Sequence, residues 1–198
     1  MVVRLWIKIG LLVVIGLAFT AGAVWAFVVG PTVIPLDFIA ARHRGAEFAL
    51  EIGVISQNSL RSLEEIASHD RAGNRAEALV LITRELIKNR DLHERAVALS
   101  IELAKMAEQI PALRPNSARA LASEGISYEV AMVGRLLGYT SSLKDLFEIL
   151  RAKLSTETVS SSRVQDLLVQ INTGASSINA LNKAFNDTMG RFDREYQR

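Results

Sequence analysis

The chain has 198 residues, of which 49% are hydrophobic and 22% charged, and it contains no cysteine. The missing cysteine excludes disulfides, CxxC redox chemistry, cysteine-ligated zinc and c-type haem. Lysine and arginine number 23 against 21 acidic residues, a net charge of +2. Arg4 and Lys8 precede every acidic residue, so the remaining chain is neutral. Nucleic-acid binding requires concentrated positive charge, so we expect no nucleic-acid partner.

The first region, residues 1–36, is predicted to be an uncleaved signal anchor that forms a transmembrane helix. Residues 9–36 carry no charge, and this run of 28 exceeds the roughly 20 residues that cross a bilayer. Trp6 and Trp25 lie 19 positions apart, or ~28 Å along a helix, which matches the hydrocarbon thickness. They are predicted to lie at the two membrane interfaces, with the lipid bilayer as the first partner.

Cleavage of the same segment as a signal peptide is the alternative, with Ala21-Gly22-Ala23 as the processing site. Apolar sequence continues beyond Ala23, which favours the anchor. Basic residues near the two ends of the segment are equal in number, so they do not fix its orientation. A free amino terminus on the short side favours a cytoplasmic N-terminus, with the following domain in the periplasm or outside the cell.

Residues 37–198 are predicted to form an all-α domain of four long amphipathic helices. Turn signals occur at Asp70–Asn74, Pro111–Pro115 and Leu154–Arg163. They divide the domain into helices at about 40–70, 74–110, 116–155 and 160–196. Helices of equal length joined by short loops pack as an elongated up-down-up-down antiparallel four-helix bundle. Apolar residues recur at helical spacing, as in the series Leu92, Ala96, Leu99, Leu103, Met106, Ile110.

No residue pattern in the sequence indicates catalysis or cofactor binding. The three histidines, His43, His69 and His93, do not occur in the Glu-x-x-His spacing of di-iron bundles. Solvated surface histidines and surface ion pairs explain the titratable residues. We therefore expect no enzyme, no cofactor and no metal site.

The middle of the bundle holds a level of small and polar residues that is the one candidate site. Folding the helices about their turns brings five residues to that level: Gln57, Asn89, Gly138, Thr140 and Ser177. Asn172, Asn179 and Asn186 add a polar file at intervals of seven in the last helix. Three interpretations remain open: residues that set helix register, a small polar ligand pocket, or a surface for a partner helix from another subunit.

A transmembrane helix followed by four long antiparallel helices resembles the extracytoplasmic sensor domains of bacterial chemoreceptors and some histidine kinases. The likeness is one of architecture. It implies a ligand-binding sensor module, but that family continues into a second transmembrane helix and an output domain, whereas this sequence ends at Arg198.

Two functions follow as expectations. The first is a structural, scaffolding or accessory-subunit role in a membrane or envelope complex, through other membrane proteins or self-association. The alternative is an extracytoplasmic ligand-binding or sensor module without its own output domain.

Overall fold

The computed structural model describes residues 32–155 and 161–196, without the side chains of residues 57, 60 and 161. The described part is helical apart from short connections, which confirms the all-α class and the four predicted helices. These helices are α1 (Leu36–Arg71), α2 (Arg75–Gln109), α3 (Asn116–Leu154) and α4 (Ser161–Tyr196). The largest difference from the predicted ends is at α1, which begins at 36 rather than about 40.

The helix ends follow from glycine and proline. Gly73 has φ of +75°, a conformation that glycine adopts without the Cβ penalty. The amide of Asn74 then bonds to the carbonyl of His69 at 3.0 Å, which satisfies an otherwise free carbonyl at the end of α1. Pro35 and Pro115 immediately precede α1 and α3, where the missing amide proton costs nothing.

The connection between α2 and α3 is tied to the start of α1. A short 3₁₀ turn, Ile110–Ala112, follows α2, and the Arg114–Pro115 peptide is cis. Val33 and Arg114 exchange backbone hydrogen bonds of 3.2 and 3.0 Å. Residues 33–36, which the sequence-based division placed with the anchor, are therefore attached to the bundle.

Consecutive helices run antiparallel and pack closely along their lengths. α1 packs on α2, α2 on α3 and α3 on α4, whereas the backbones of α1 and α4 come close at few points. Side-chain contacts between distant residues show the opposite directions of neighbouring helices: Arg44–Glu102, Arg95–Glu51, Asn89–Thr140, Tyr196–Ser117 and Phe38–Phe192.

The core consists of two hydrophobic clusters stacked along the bundle. The first lies at the end where α1 begins and α4 ends, and it includes Phe38, Met106, Met189 and Phe192. The second occupies the opposite half and is built mainly by α2 and α3, with Ile82, Leu143 and Phe147 at its centre. Among the described side chains, α1 contributes Ile66 and α4 contributes Leu167 and Ile171 to the buried hydrophobic residues of this cluster.

The predicted transmembrane segment lies almost wholly outside the described residues, as do Trp6 and Trp25. Among residues 32–155 and 161–196, no helix has the length and apolar character needed to cross a membrane.

Candidate functional site

The helices leave two openings at mid-height that are candidates for binding. The first is the α1–α4 groove, a cavity of about 400 Å³ between the two helices that pack most loosely. Small or amide side chains form its walls, and apolar side chains of all four helices form its floor. The walls are Ala49, Gly53, Ser56, Ala175, Asn179 and Asn182, and the floor includes Ile52, Leu99, Met132, Leu136, Tyr139 and Ile178.

Side-chain size explains why this groove is open. Among the described side chains, none is buried between Gly45 and Ser59 of α1, or between Ile171 and Thr188 of α4. A Cβ atom placed on Gly53 would have no neighbour within 4 Å. Alanine, glycine and serine are too short to fill the space between two helices, so Ile52 and Ile178 stay half-buried. The floor residues of α2 and α3, Leu99, Met132, Leu136 and Tyr139, are buried beneath them.

The groove is electrically neutral, because none of the twelve side chains that line it is charged. Beside it, α1 exposes large apolar side chains: Leu50 is 71% and Val54 is 53% accessible. A helix that is apolar on its core side and also on its outer side has a second surface that water does not favour. The groove itself is uncharged, whereas Leu50 and Val54 border a separate opening between α1 and α2 that is lined by charged residues: Glu51, Asp91, Glu94 and Arg95.

The second opening is the α2–α3 cleft, with a volume of about 540 Å³. At its base lies Asn89, which is only 6% accessible. The Asn89 Nδ2 donates a hydrogen bond of 2.7 Å to the backbone carbonyl of Thr140. That bond fixes the amide, and its other polar atom, Oδ1, is buried without a partner. An unpartnered buried acceptor costs ~1 to 3 kcal/mol, so a donor at this point would be favoured.

Hydroxyl and charged groups surround Asn89 at the rim of the cleft. The Thr140 hydroxyl donates to the Leu137 carbonyl at 2.9 Å, and it lies 3.4 Å from His93 Nδ1. The cations of Arg90 and Lys144 are exposed, and their ion pairs with Glu94 and Glu148 are long, at 3.7 and 3.9 Å. The remaining lining residues are Leu86 and Ser141.

Two buried glutamates differ in their surroundings. Glu102 accepts hydrogen bonds from Lys105 and Arg44 at 2.7 and 2.9 Å, and these two cations lower its pKa. Glu129 is 3% accessible and its Oε2 has no hydrogen-bond partner. Burial raises the pKa of Glu129 to about 7. Near neutral pH this core carboxyl group is therefore partly protonated.

The five residues of the predicted mid-bundle level are placed differently. Asn89 and Thr140 are in contact and line the α2–α3 cleft. Gly138 is exposed, with open space where a Cβ would be, so it makes no close contact with the described residues of a neighbouring helix. Ser177 is half-buried on α4 and lines neither opening. The side chain of Gln57 lies outside the described residues.

The asparagine file of α4 is on the surface rather than in the core. Asn172, Asn179 and Asn186 are all exposed, and Asn179 forms part of the groove wall. The Asn186 amide donates to the Oδ1 of Asn182 at 3.2 Å. Exposed amides do not set register in the way that a buried asparagine does.

Two glycines face side chains of a neighbouring helix. A Cβ on Gly125 would lie 2.6 Å from Met189 Sδ, whereas one on Gly174 would be in ordinary contact with Tyr139 at 3.6 Å. The uncharged groove between α1 and α4 was not predicted from the sequence. The signal was present in the small residues Ala49, Gly53 and Ser56, which recur at helical spacing.

No group of three or more histidine, aspartate or glutamate side chains that would hold a metal occurs in the described part of the chain. A comparison with protein-family models, curated proteins and solved structures finds no match to this chain.

Proposed function

We propose that the protein is a membrane-anchored accessory or scaffolding subunit that docks a helix of a partner membrane protein in the α1–α4 groove. The proposed architecture places a transmembrane helix ahead of residues 33–36, which are attached to the bundle, and an elongated up-down-up-down bundle beyond them. The observation that supports the proposal is the uncharged groove between α1 and α4, where small wall residues leave an open volume above half-buried Ile52 and Ile178.

The shape of the groove favours a helix as its occupant. A cavity of about 400 Å³ takes the side chains that project from a helix rather than the helix itself. Glycine and alanine on the wall let another backbone approach closely, as in helix pairs with small residues at the contact. A Cβ on Gly53 would meet none of the described atoms within 4 Å, so the wall is open at this point.

The lack of charge in the groove determines which kind of partner helix it can accept. Since no charged side chain lines the groove, a partner with charges on its contacting side would bury them unpaired. The expected occupant presents apolar and small uncharged side chains at intervals of three and four. It comes from a protein of the same membrane, because an anchored bundle meets such partners at high local concentration.

A charge placed in the groove tests this proposal. Gly53→Arg puts a guanidinium against the apolar floor, while Gly134→Arg is a matched control. Both glycines are exposed within long helices, and a Cβ on either would have no neighbour within 4 Å. Only Gly53 lines the groove. The full-length proteins are extracted in mild detergent, and co-purified membrane proteins are quantified by mass spectrometry.

We expect one membrane protein to co-purify in near-stoichiometric amount with the natural chain. Gly53→Arg should reduce its recovery at least tenfold, and Gly134→Arg should leave it unchanged. Equal recovery with both variants, or equal loss with both, would contradict docking in the groove. If the only partner is a second copy of this chain, the accessory role is wrong and the groove is a homodimer interface.

A second candidate function is a ligand-binding sensor module in the extracytoplasmic space. The observation that favours it is the α2–α3 cleft with the unpartnered Asn89 oxygen at its base. A melting temperature that rises with a small molecule would support this function, because a ligand that binds only the folded state stabilises it.

A further inference from the structure

We propose that the α2–α3 cleft binds a small oxyanion that carries its own hydrogen-bond donor, such as a 2-hydroxycarboxylate or hydrogenphosphate. The inference is independent of partner docking in the α1–α4 groove. It gives the second candidate function a chemical class of ligand.

The base of the cleft requires a donor. Asn89 cannot rotate its amide freely, because its Nδ2 is held by the Thr140 carbonyl at 2.7 Å. The Oδ1 atom is thereby left buried and without a partner, and an amide oxygen can only accept. A hydroxyl, ammonium or P–OH group of a ligand satisfies it, whereas a bare carboxylate oxygen would be repelled.

The rim requires an anion. Arg90 and Lys144 line the cleft from opposite helices, and their acidic neighbours Glu94 and Glu148 pair with them only at 3.7 and 3.9 Å. Such long, exposed ion pairs are weak and leave the cations free to bind another oxyanion. Of these two acids only Glu148 lines the cleft, so the two cations Arg90 and Lys144 outnumber it there.

Both requirements fall within one small volume. Asn89 lines the same cleft of about 540 Å³ as the two cations, so a single compact molecule with both groups fits better than an extended one. The Ser141 hydroxyl, also in the lining, supplies a further donor for the anion, whereas the Thr140 hydroxyl already donates to the Leu137 carbonyl. A ligand that has an anionic group but no donor would bind the cations and leave the Asn89 oxygen without a partner.

Matched pairs of anions test the donor without any substitution in the protein. Glycolate differs from acetate by one hydroxyl, and at neutral pH hydrogenphosphate carries a P–OH group that sulfate lacks. Each anion is titrated into the full-length protein by isothermal calorimetry, at constant ionic strength. We expect glycolate, hydrogenphosphate or both to bind at least tenfold more tightly than the donor-free member of the pair. The pair that discriminates identifies the carboxylate or phosphate source.

Two substitutions distinguish the contribution of the Asn89 oxygen to anion binding from the contribution of the cations. Asn89→Leu should abolish the preference for the donor-bearing anion, because the accepting oxygen is gone. Arg90→Gln should weaken all anions by a similar factor and keep the preference. Arg84→Gln, an exposed arginine of α2 outside the cleft, should change neither.

The inference is overturned if no anion of either pair binds at 10 mM, or if the members of both pairs bind equally to the natural protein. It is also overturned if Arg84→Gln weakens binding as much as Arg90→Gln, since the anions would then respond to general surface charge. Because the comparison of matched anions uses the unsubstituted chain, a poorly folded Asn89→Leu variant leaves the test intact.

Discussion

The end of the bundle where α1 begins differs from its middle, although the same two helices, α1 and α4, form both regions. At the end, Phe38 and Phe192 are fully buried with ring centroids 5.8 Å apart, and Arg42 bonds to Asp193 through two hydrogen bonds. In the middle, Gly53 faces open space and no described side chain of either helix is buried. The helices have the same geometry in both regions, so side-chain size and charge make the difference.

The two regions differ in how they can serve a long bundle: the end stabilises the fold, and the middle is open for the proposed docking. Aromatic side chains bury large areas and join helices firmly at one end. Small side chains leave the middle unfilled, and an unfilled neutral surface is available to another molecule. Four sets of substitutions test this difference between the two regions.

Phe192→Ala should cause the largest loss, because the side chain is fully buried in the closed end. Removing a buried phenylalanine costs ~3 to 5 kcal/mol of unfolding free energy. Ile178→Ala, which shortens a half-buried side chain in the groove, serves as the comparison. It should lower the unfolding free energy by less than half as much. Chemical denaturation of both variants measures the difference. Equal losses would mean that the middle is packed as firmly as the end.

Glu129 lies in α3 between the two regions, one turn after Gly125, and it makes stability depend on pH. Its folded-state pKa of about 7 lies above the ordinary value of 4.5, because burial disfavours the charged form. The protonated group therefore contributes stability that is complete below pH 4.5 and is lost as the pH rises through about 7. The loss should reach about 3 kcal/mol at higher pH.

Glu129→Gln should remove most of that pH dependence, because glutamine stays neutral. We expect the variant to be more stable than the natural protein at pH 8.5 and nearly equal to it at pH 4. Glu102, which has two cationic partners, provides the opposite case: Glu102→Gln should be destabilising at pH 8.5. If Glu129→Gln leaves the pH profile unchanged, the Glu129 carboxyl group is not buried in solution.

The fold could be predicted from sequence because its determinants are local. Apolar spacing predicted the four helices, and the turn signals around Gly73 and Pro115 predicted the adjoining helix ends within a few residues. The two openings depend on which side of each helix meets its neighbour. Residue numbering placed Asn89 and Thr140 at one level, but it could not show that Gly138 points to solvent while Gly125 meets Met189. That difference is a rotation about the axis of α3, which spacing along the chain does not determine.

Gly125 and Gly138 of α3 therefore make a matched pair. Gly125→Ala places a methyl group 2.6 Å from the sulfur of the buried Met189, so we expect a loss of ~1 to 3 kcal/mol from overpacking. Gly138→Ala meets open space and gains helix propensity, so it should stabilise the protein by up to ~1 kcal/mol. Thermal unfolding of the two variants gives the sign of each change. Two changes of the same sign would contradict the orientation of α3.

The smallest effect belongs to the ion pair of Arg42 and Asp193, which ties α1 to α4 at the closed end. Its two hydrogen bonds measure 2.5 and 2.7 Å, but the side chains are 23% and 40% accessible, so water and salt screen the charges. A double-mutant cycle with Arg42→Gln and Asp193→Asn should give a coupling free energy of at most ~1 kcal/mol. The coupling should shrink when salt is raised to 1 M, because screening weakens exposed pairs. A coupling well above 1 kcal/mol would mean that charge, more than the neighbouring Phe38 and Phe192, keeps the end closed.

A coupling near zero would mean that the aromatic contact alone keeps the end closed. The middle would then be open because its described residues contain no aromatic pair between α1 and α4.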